Sequence, residues 1–448
     1  MDTQTTDVPT SPRLVAFASS VGATIEWYDF FIYGTAAALV FNQLFFPSFS
    51  SIAGTLAAFA TFTVGFIARP LGGAVFGHYG DRLGRKMMLI ASLLIMGLGT
   101  GLVGLLPTYE TLGLGAAVML VTLRVLQGIG LGGEWGGAVL MSVEHAPARS
   151  RGLFGALPQS GVPIGLILAT AAFTLVSRLP EDELYSWGWR LPFVFSFVLV
   201  AIGLIVRYKV AESPIFADAK PSIVTERSPL LETIQKQWRS VLLGIGLRFC
   251  ENGSFYIYTT FILVYGTTHA AWSREQMLVA VMIAACLALI TIPFFGWLSD
   301  RVGRKPIFIA GTLGSAAMAF PLFVGIDSGN SAILWTVCLG ALGIAYAAMY
   351  GPEASFMSEL FPTNVRYSGI SLSAQIAGVL AGGFAPLIAT VLLARAGHYW
   401  PVAVYLILIA AISFTAALLA PETHRKNLNK PGHESVNAPD LKPETAPA

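Results

Sequence analysis

The sequence predicts an all-α membrane protein with twelve transmembrane helices in two pseudo-symmetric bundles of six. Three observations predict this fold class. Hydrophobic residues make up 55% of the 448 residues and charged residues only 12%, about half the charged fraction of a soluble domain. Twelve apolar runs are long enough to cross a bilayer. The two halves of the chain also repeat the same polar motifs. The low fraction of charged residues excludes a soluble enzyme.

The twelve apolar runs, called spans 1 to 12 below, each have roughly the 20 residues that a transmembrane helix needs. They cover residues 16–42, 51–77, 87–106, 112–143, 152–177, 190–208, 240–266, 276–298, 306–326, 332–360, 369–394 and 399–420. The predicted domains are a cytoplasmic N-terminal segment, an N-terminal bundle, a central cytoplasmic loop, a C-terminal bundle and a disordered cytoplasmic tail: 1–13, 14–208, 209–239, 240–420 and 421–448.

Basic residues predict the orientation, because they accumulate on the cytoplasmic side of a membrane. Of the 27 lysines and arginines, 20 fall at the end that carries the N-terminus and four at the opposite end. Both termini are therefore predicted to be cytoplasmic. The net charge of +2 gives no argument for a nucleic-acid partner. The three cysteines lie inside apolar runs and are read as core residues, not as a metal site.

The internal repeat has an offset of 219 residues. The loop Gly77-His-Tyr-Gly-Asp-Arg-Leu-Gly-Arg-Lys86 after span 2 matches Gly296-Trp-Leu-Ser-Asp-Arg-Val-Gly-Arg-Lys305 after span 8. Gly132-Gly-Glu134 matches Gly351-Pro-Glu353 at the same offset. Two parallel repeats of six spans are typical of a carrier that works by alternating access.

These loops resemble the major facilitator superfamily, and further motifs resemble its metabolite:proton symporter branch. The motifs are Trp27-Tyr-Asp-Phe30, Gly65-Phe-Ile-Ala-Arg-Pro-Leu-Gly-Gly73, the glycine-rich stretch from Arg124 to Gly137, Trp187-Gly-Trp-Arg-Leu-Pro-Phe193 and Glu359-Leu-Phe-Pro with Arg366. Within that branch, the chain is most similar to shikimate-permease-like organic acid transporters, through Leu247-Arg-Phe-Cys-Glu251. The resemblance implies a proton-coupled importer of a small organic acid in a bacterial inner membrane, with no enzymatic activity.

Ionisable side chains inside a membrane are costly and usually functional. Asp29 in span 1 and Arg124 in span 4 lie at similar predicted depths, about 19 Å and 18 Å from the outer surface. Sugar porters of the superfamily are similar at these two positions. We expect Asp29 to be a proton-titrating carboxylate held by Arg124, with Glu26 and Glu134 also in the proton path. A permanent structural ion pair is the alternative.

Polar and aromatic residues recur at helical spacing on spans 1, 7 and 10, which predicts a central site for a small polar solute. Arg248 is the best free candidate to bind a carboxylate, although neutralisation by Glu251 is an equal alternative. The predicted substrate site comprises Arg248, Glu251, Tyr33, Trp135, Gln159, Tyr258, Tyr346 and Gln375.

Charged residues at the inner ends of the spans predict a gate that closes toward the cytoplasm. They are Asp81, Arg82, Arg85, Glu144 and Arg151 in the first half, Asp300, Arg301, Arg304, Glu359 and Arg366 in the second, and Arg69 as a brace. Topology marking by positive charge is the alternative interpretation.

The predicted partners are a small organic acid, protons and the lipid bilayer, with a monomer as the working unit. No cofactor is expected beyond the proton gradient, because no cluster of nucleophiles, metal ligands or cofactor-binding residues stands out. Three alternatives remain at this point: a symporter of a zwitterion such as proline or betaine, a metabolite or drug exporter, and a membrane receptor without transport.

Overall fold

The computed structural model describes residues 12–83, 85–132, 135–144, 146–147, 149–209, 233, 235–362 and 365–424. Every regular element in this part of the chain is a helix. Below, the inner end is the end where span 1 begins and span 12 finishes, and the outer end is the opposite one.

The first half supplies six spans. They are Pro12–Leu39, Ser51–Leu83, Arg85–Val103, Leu114–Leu131 continued by Trp135–Glu144, Arg151–Gln159 continued by Gly161–Val176, and Arg190–Lys209. Short helices Phe41–Phe45, Tyr109–Leu112 and Glu181–Glu183 lie between spans at the outer end, and a π-helical turn, Leu184–Gly188, leads into span 6.

The second half repeats the arrangement, with π-helical turns inside three spans. Span 7 is Trp238–Tyr256, the π turn Ile257–Phe261 and Ile262–Thr268; span 8 is Arg274–Val302; span 9 is Arg304–Asp327. Span 10 is Ser331–Cys338, the π turn Leu339–Tyr346 and Ala347–Leu360; span 11 is Arg366–Ala377, the π turn Gly378–Gly383 and Ala385–Ala396; span 12 is Trp400–Leu419.

Nine of these spans are long and apolar enough to cross a membrane within the described residues. Spans 1, 3 and 7 complete the predicted twelve. Span 7 falls short on composition because it carries Arg248, Glu251 and Asn252 in its middle. In span 3 the described apolar stretch is the shorter Ile90–Val103.

Close helix contacts hold the first half together. Span 2 packs on span 4, where a Cβ atom at Gly128 would clash with the backbone carbonyl of Gly65. Small residues at such crossings let the helix backbones approach.

The two halves contact each other through spans from each side. Span 5 packs against spans 8 and 10, and span 2 packs against span 11. The two halves are therefore in contact along their length.

The end of the chain differs from the prediction in one respect. We expected disorder from Pro421 onward, but Glu422 and Thr423 make hydrogen bonds with the inner ends of spans 9 and 10. The described residues end at His424, and the rest of the predicted tail lies outside them.

Candidate functional site

Aromatic side chains from both halves fill the centre of the molecule. The ring of Phe30 in span 1 lies 5.0 Å from Phe62 and 5.2 Å from Phe66 of span 2. Tyr256 of span 7 closes this group from the other half, with its ring 5.7 Å from Phe30 and 5.3 Å from Phe66. Such ring pairs are favourable beyond the area they bury. The halves therefore meet on a dry aromatic surface.

Arg124 lies against this surface and keeps unused donors. Its guanidinium carbon is 4.1 Å from the ring centroid of Tyr33 and 4.7 Å from that of Phe30. Its Nη1 donates to Gln127 Oε1 at 3.2 Å, but its Nε and Nη2 have no acceptor among the described residues. Gly65 makes this position possible, because a Cβ atom there would lie 2.5 Å from Arg124 Nε.

Arg69 occupies the same central region. Its guanidinium carbon is 4.0 Å from the ring centroid of Phe66 and 4.7 Å from that of Phe30. The Tyr256 hydroxyl of the other half lies beside it. Nε and Nη2 of Arg69 also have no acceptor within the described structure. We expected Arg69 to brace the inner gate; the structure places it instead at the centre, because it faces the aromatic surface one turn below Phe66.

The two arginines line one narrow gap. Phe30, Met96 and Gln127 contribute to the same lining, and the gap is too narrow to admit a water molecule in this conformation. Cation–π contacts compensate part of the lost hydration, about 2 kcal/mol or more for a desolvated pair. They do not satisfy the N–H donors, which are costly when buried without acceptors. In this conformation the gap therefore contains buried N–H donors of both arginines that have no acceptor among the described residues.

Asp29 does not reach Arg124, contrary to the expected pair. Its Oδ1 accepts a hydrogen bond of 2.5 Å from Ser196 Oγ of span 6, and its Oδ2 has no partner among the described residues. Thr100 lies beside the carboxyl group, and Gln127 Nε2 donates to Thr100 Oγ1 at 2.8 Å. Thr100 and Gln127 therefore stand between Asp29 and Arg124.

Of the other two residues predicted in the proton path, the structure describes only Glu26. Glu26 is buried in span 1, one turn before Asp29. Glu134 lies outside the described residues.

Arg248 is enclosed by two carboxylates. Its Nη2 lies 3.4 Å from Glu251 Oε2, and its Nε lies 3.3 Å from Glu353 Oε1 of span 10. Asn252 Nδ2 donates to Glu251 Oε2 at 2.6 Å. The Trp135 ring of the first half covers the guanidinium at 4.0 Å. The hypothesis that Arg248 is the free anion-binding cation is corrected here, because Glu353 reaches it from a distant part of the chain.

Two predicted glutamines bridge the halves. Gln159 Nε2 donates to the Tyr350 carbonyl at 2.6 Å, and Gln375 Nε2 donates to the Gly132 carbonyl at 2.8 Å. The Nε2 group of each glutamine is bonded across the interface, which holds the halves together, while Gln159 Oε1 has no partner among the described residues.

The three predicted tyrosines separate into different environments. The Tyr346 ring packs at a tilt against Phe255, with the centroids 4.8 Å apart, next to the interface. Tyr33 donates to Thr61 Oγ1 at 2.7 Å beneath Arg124. The Tyr258 hydroxyl bonds with Ser315 Oγ at 2.7 Å, inside the second bundle. We expect Tyr258 from its spacing to share a helix face with Arg248 and Glu251. The structure instead places it on a different face.

The inner end is closed by buried charges. Asp300 accepts hydrogen bonds from the backbone N–H groups of Gly152 at 2.7 Å and Leu153 at 3.0 Å, at the first turn of span 5. Arg304 Nη1 lies 2.7 Å from Asp300 Oδ1, and its Nη2 lies 3.2 Å from Glu359 Oε1. This cluster joins the two halves, as the gate hypothesis requires.

The remaining gate candidates divide into three groups. Arg151 is buried at the junction, and its carbonyl accepts from Ser355 Oγ of span 10 at 2.6 Å. Arg366 is buried and donates to the Phe361 carbonyl at 3.3 Å. Arg301 instead covers the ring of Trp297 at 4.0 Å and is exposed. The side chains of four further candidates lie outside the described part: Asp81, Arg82, Arg85 and Glu144.

Sequence reasoning missed two features of the gates. At the inner end, Glu422 accepts from the backbone N–H groups of Arg304 and Lys305 at 2.9 Å and 3.0 Å. An acidic residue directly after span 12 was the available signal. At the outer end, Arg178, two residues after span 5, pairs with Glu275 of span 8 at 2.6 Å.

A second outer contact mirrors the first. Arg274 Nη1 lies 3.3 Å from Glu181 Oε1, and its Nη2 donates to the Tyr185 hydroxyl at 2.6 Å. These arginines were counted only as outer-loop charges. With contacts at both ends and a filled centre, the conformation is closed to both sides.

The sequence matches the Major Facilitator Superfamily profile over residues 19–374 and again over 271–445. It is 43% identical to the Shikimate transporter of Escherichia coli (strain K12) over 419 residues, which are 92% of this chain and 95% of that protein. It is 42% identical to the Inner membrane metabolite transport protein YhjE of the same organism, over 93% of this chain and 96% of that protein.

The fold also matches a solved structure. The proton:xylose symporter XylE bound to 6-bromo-6-deoxy-D-glucose superposes with a TM-score of 0.74 at 21% identity, over 93% of this chain and 97% of that chain. The identity is low, so this likeness establishes the architecture alone.

Proposed function

The chain belongs to the major facilitator superfamily, and on that premise we propose that it is a proton-coupled symporter that imports a small organic acid by alternating access. The similarity to a shikimate transporter and to a metabolite transport protein supports a metabolite as substrate. The superfamily consists of transporters, so the chain is a multi-pass membrane carrier and not an enzyme.

The observation that carries the acid proposal is the pair of buried arginines at the centre. Arg69 and Arg124 together present four guanidinium nitrogens without an acceptor. A carboxylate has two oxygens that accept charge-assisted hydrogen bonds, often two at once from one guanidinium. Such a substrate would satisfy these donors and neutralise charge in a site from which water is excluded.

Arg248 is a poorer anion site because Glu251 and Glu353 already neutralise it. A second anion beside these carboxylates would meet repulsion in a low-dielectric environment. Arg124 and Arg69 are therefore the leading candidates for the anion site.

The surroundings favour a small ring acid with hydroxyl groups. Phe30, Phe62 and Phe66 offer ring faces against which an apolar ring face can pack. Gln159 and Gln375 lose their backbone acceptors when the halves separate, and their amides can then bind substrate hydroxyls. Shikimate-like acids have this combination of a ring, hydroxyl groups and one carboxylate.

The driving force in this proposal is a proton gradient across a bacterial inner membrane, with both termini in the cytoplasm. Each of the two bundles contributes to one central site, so a monomer is sufficient. No cofactor is required for this cycle.

The test is binding and uptake by the purified full-length protein in vesicles. We expect Arg124→Gln to weaken binding of a labelled ring acid by tenfold or more, since a hydrogen bond to a charged group contributes roughly 1.5–3 kcal/mol. Arg124→Lys keeps the charge but loses the planar fork, so its affinity for the acid is expected to lie between that of the parent protein and that of Arg124→Gln. Arg395→Gln, an exposed arginine at the end of span 11, is the matched control. Normal binding by both Arg124→Gln and Arg69→Gln contradicts the proposed site.

One observation favours the zwitterion alternative. Trp27 stacks on Phe31 at 5.2 Å and also contacts Phe255 at 6.5 Å, and aromatic faces attract quaternary ammonium groups. Competition by betaine but not by organic acids would support that alternative. Import and export are distinguished by the direction in which an imposed proton gradient concentrates the substrate.

A further inference from the structure

The cluster of Arg248, Glu251 and Glu353 contains an uneven number of charges. One guanidinium faces two carboxylates, at 3.4 Å and 3.3 Å. The three side chains are only 8%, 5% and 0% exposed. Asn252 donates a further hydrogen bond to Glu251, while neither oxygen of Glu353 has an aligned hydrogen bond.

Two ionised carboxylates and one arginine leave a net charge of −1 in a buried site. A buried charge without a partner is strongly unfavourable, and the group takes up a proton instead. Like charges in one site also disfavour ionisation of the second group. One proton held by the two carboxyl groups makes the cluster neutral.

The neighbouring titratable groups do not supply the missing positive charge. Tyr346 and Tyr350 of span 10 and Tyr256 of span 7 face Glu251, and Cys250 is its neighbour in span 7; all four are neutral or negative. Within the described residues, the charged groups acting on Glu353 are Arg248 and Glu251 alone.

Spans 9, 11 and 12 also pack against span 7. Spans 9 and 12 contribute hydroxyl groups there, with Ser315 bonded to Tyr258 and Ser413 to the Cys250 N–H, and the Gln375 amide of span 11 is bonded to the Gly132 carbonyl.

From the first half, Arg69 is near enough to interact with Arg248, but the ion pairs of Glu251 and Glu353 among the described residues are with Arg248; Glu134 lies outside the described residues.

We propose that Glu251 and Glu353 share the coupling proton of the transport cycle, and that Arg248 holds the two carboxyl groups together. This inference rests on the proposed proton symport and assigns its proton to the second half of the chain. Asp29 is also a buried carboxyl group, but its neighbours Ser196 and Thr100 both belong to the first bundle, so separation of the halves does not change these contacts.

The position of the cluster links its access to water to the movement of the halves. Trp135 of the first half covers Arg248 at 4.0 Å, so separation of the halves exposes the cluster to water. A hydrated cluster tolerates two carboxylates, whereas the closed cluster requires neutrality. An O–H bond therefore forms on one carboxyl oxygen, with a proton taken from water on one side, and breaks to water on the other side. No electron transfer is involved.

The experiment measures protons and acid together in vesicles that contain the full-length protein. A pH-sensitive dye reports proton entry while labelled ring acid flows down its gradient. We expect the ratio of protons to acid to fall at least tenfold in Glu353→Gln, measured against the acid flux of the same variant. Glu251→Gln is expected to act in the same direction. Glu110→Gln, at an exposed carboxyl, is the matched control and keeps the ratio of the parent protein.

The outcomes separate the two proposals. If the parent protein carries acid without protons, the proposed symport fails. If the parent protein couples protons and both Glu353→Gln and Glu251→Gln keep its ratio of protons to acid, the hypothesis of a proton shared by these glutamates is wrong. Loss of the ratio in Asp29→Asn alone would also overturn that hypothesis. Infrared difference spectra of the folded proteins give a second readout, in which a protonated-carboxyl band lost in Glu353→Gln but retained in Asp29→Asn supports the assignment.

Discussion

At the scale of the residue, the central arginines depend on the absence of side chains opposite them. Arg124 fits against span 2 only because residue 65 is glycine. Its guanidinium is held by ring faces and one amide, and not by a carboxylate within the described structure. This leaves directional donors for a ligand while the cation remains in place.

We predict that Gly65→Ala weakens acid binding, because the new methyl group would lie 2.5 Å from Arg124 Nε and must displace the guanidinium. The expected loss of affinity is about tenfold, similar to removal of one charge-assisted hydrogen bond. Titration of the purified protein with the ring acid measures it.

Gly378→Ala is the control, since the nearest atom to a Cβ there is 3.9 Å away. Equal affinities of Gly65→Ala and Gly378→Ala would show that the position of Arg124 does not determine binding.

At the scale of the element, π turns change which residues share a helix face. The π turn Ile257–Phe261 contains Tyr258, so regular helical spacing no longer relates Tyr258 to Glu251. Tyr350 and Glu353 follow the π turn of span 10 on regular helix. This explains why Tyr258 leaves the helix face of Arg248 and Glu251, whereas Tyr350 and Glu353 remain related by regular helical spacing. Such π turns are frequent at functional sites.

A second element-scale feature is the cap on span 9. The Glu422 carboxylate accepts from the backbone N–H groups of Arg304, Lys305, Thr423 and His424. Partial burial alone raises the pKa of Glu422, but these four donors together lower it below its ordinary value of 4.5. Anions at a helix N-terminus are also favoured by the helix dipole.

We predict that Glu422→Gln lowers thermal stability at neutral pH, by an amount corresponding to about 1 kcal/mol for a lost cap. A lowered pKa in the folded state means that the stabilisation is complete above pH 4.5 and is lost as the pH falls through the folded-state pKa. The difference between parent and variant is therefore expected to shrink in acid. Thermal denaturation across pH measures it, and a difference that grows in acid contradicts the cap.

At the scale of the whole molecule, the contacts that close the inner and outer ends differ in their exposure to solvent. The inner contacts of Asp300 with Gly152 and Leu153 are partly buried, and the Asp300 side chain is only 6% exposed. The outer pair Arg178–Glu275 is 62% and 41% exposed. Exposed pairs contribute about 0.2–1 kcal/mol and are screened by salt. We expect the outer end to open more readily than the inner end.

We predict that Glu275→Lys shifts the population toward the outward-open state, because a cation then faces Arg178. The reversed pair Arg178→Glu/Glu275→Lys should restore the parent distribution. Labelling of a cysteine introduced in the central cavity measures outer accessibility, at low and high salt. Arg395→Glu is the surface control. A reversed pair as open as Glu275→Lys alone would mean that this contact does not hold the gate.

Much of the molecule follows from the sequence alone. The twelve spans, the two related halves and the list of buried charges are all readable because hydrophobic length and the repeat are local properties of the chain. The membership of Asp300, Arg304 and Glu359 in one inner cluster was also predictable, since the repeated loops place them at the same end.

Only the tertiary structure decided which charges are partners. Glu353 reaches Arg248 from span 10, Ser196 reaches Asp29 from span 6, and Arg124 is left facing aromatic rings. Helical periodicity gives the depth of a side chain in the membrane but not the rotation of its helix against distant neighbours. That rotation is set by packing between segments far apart in the chain, and a change of a few ångströms exchanges one ion partner for another.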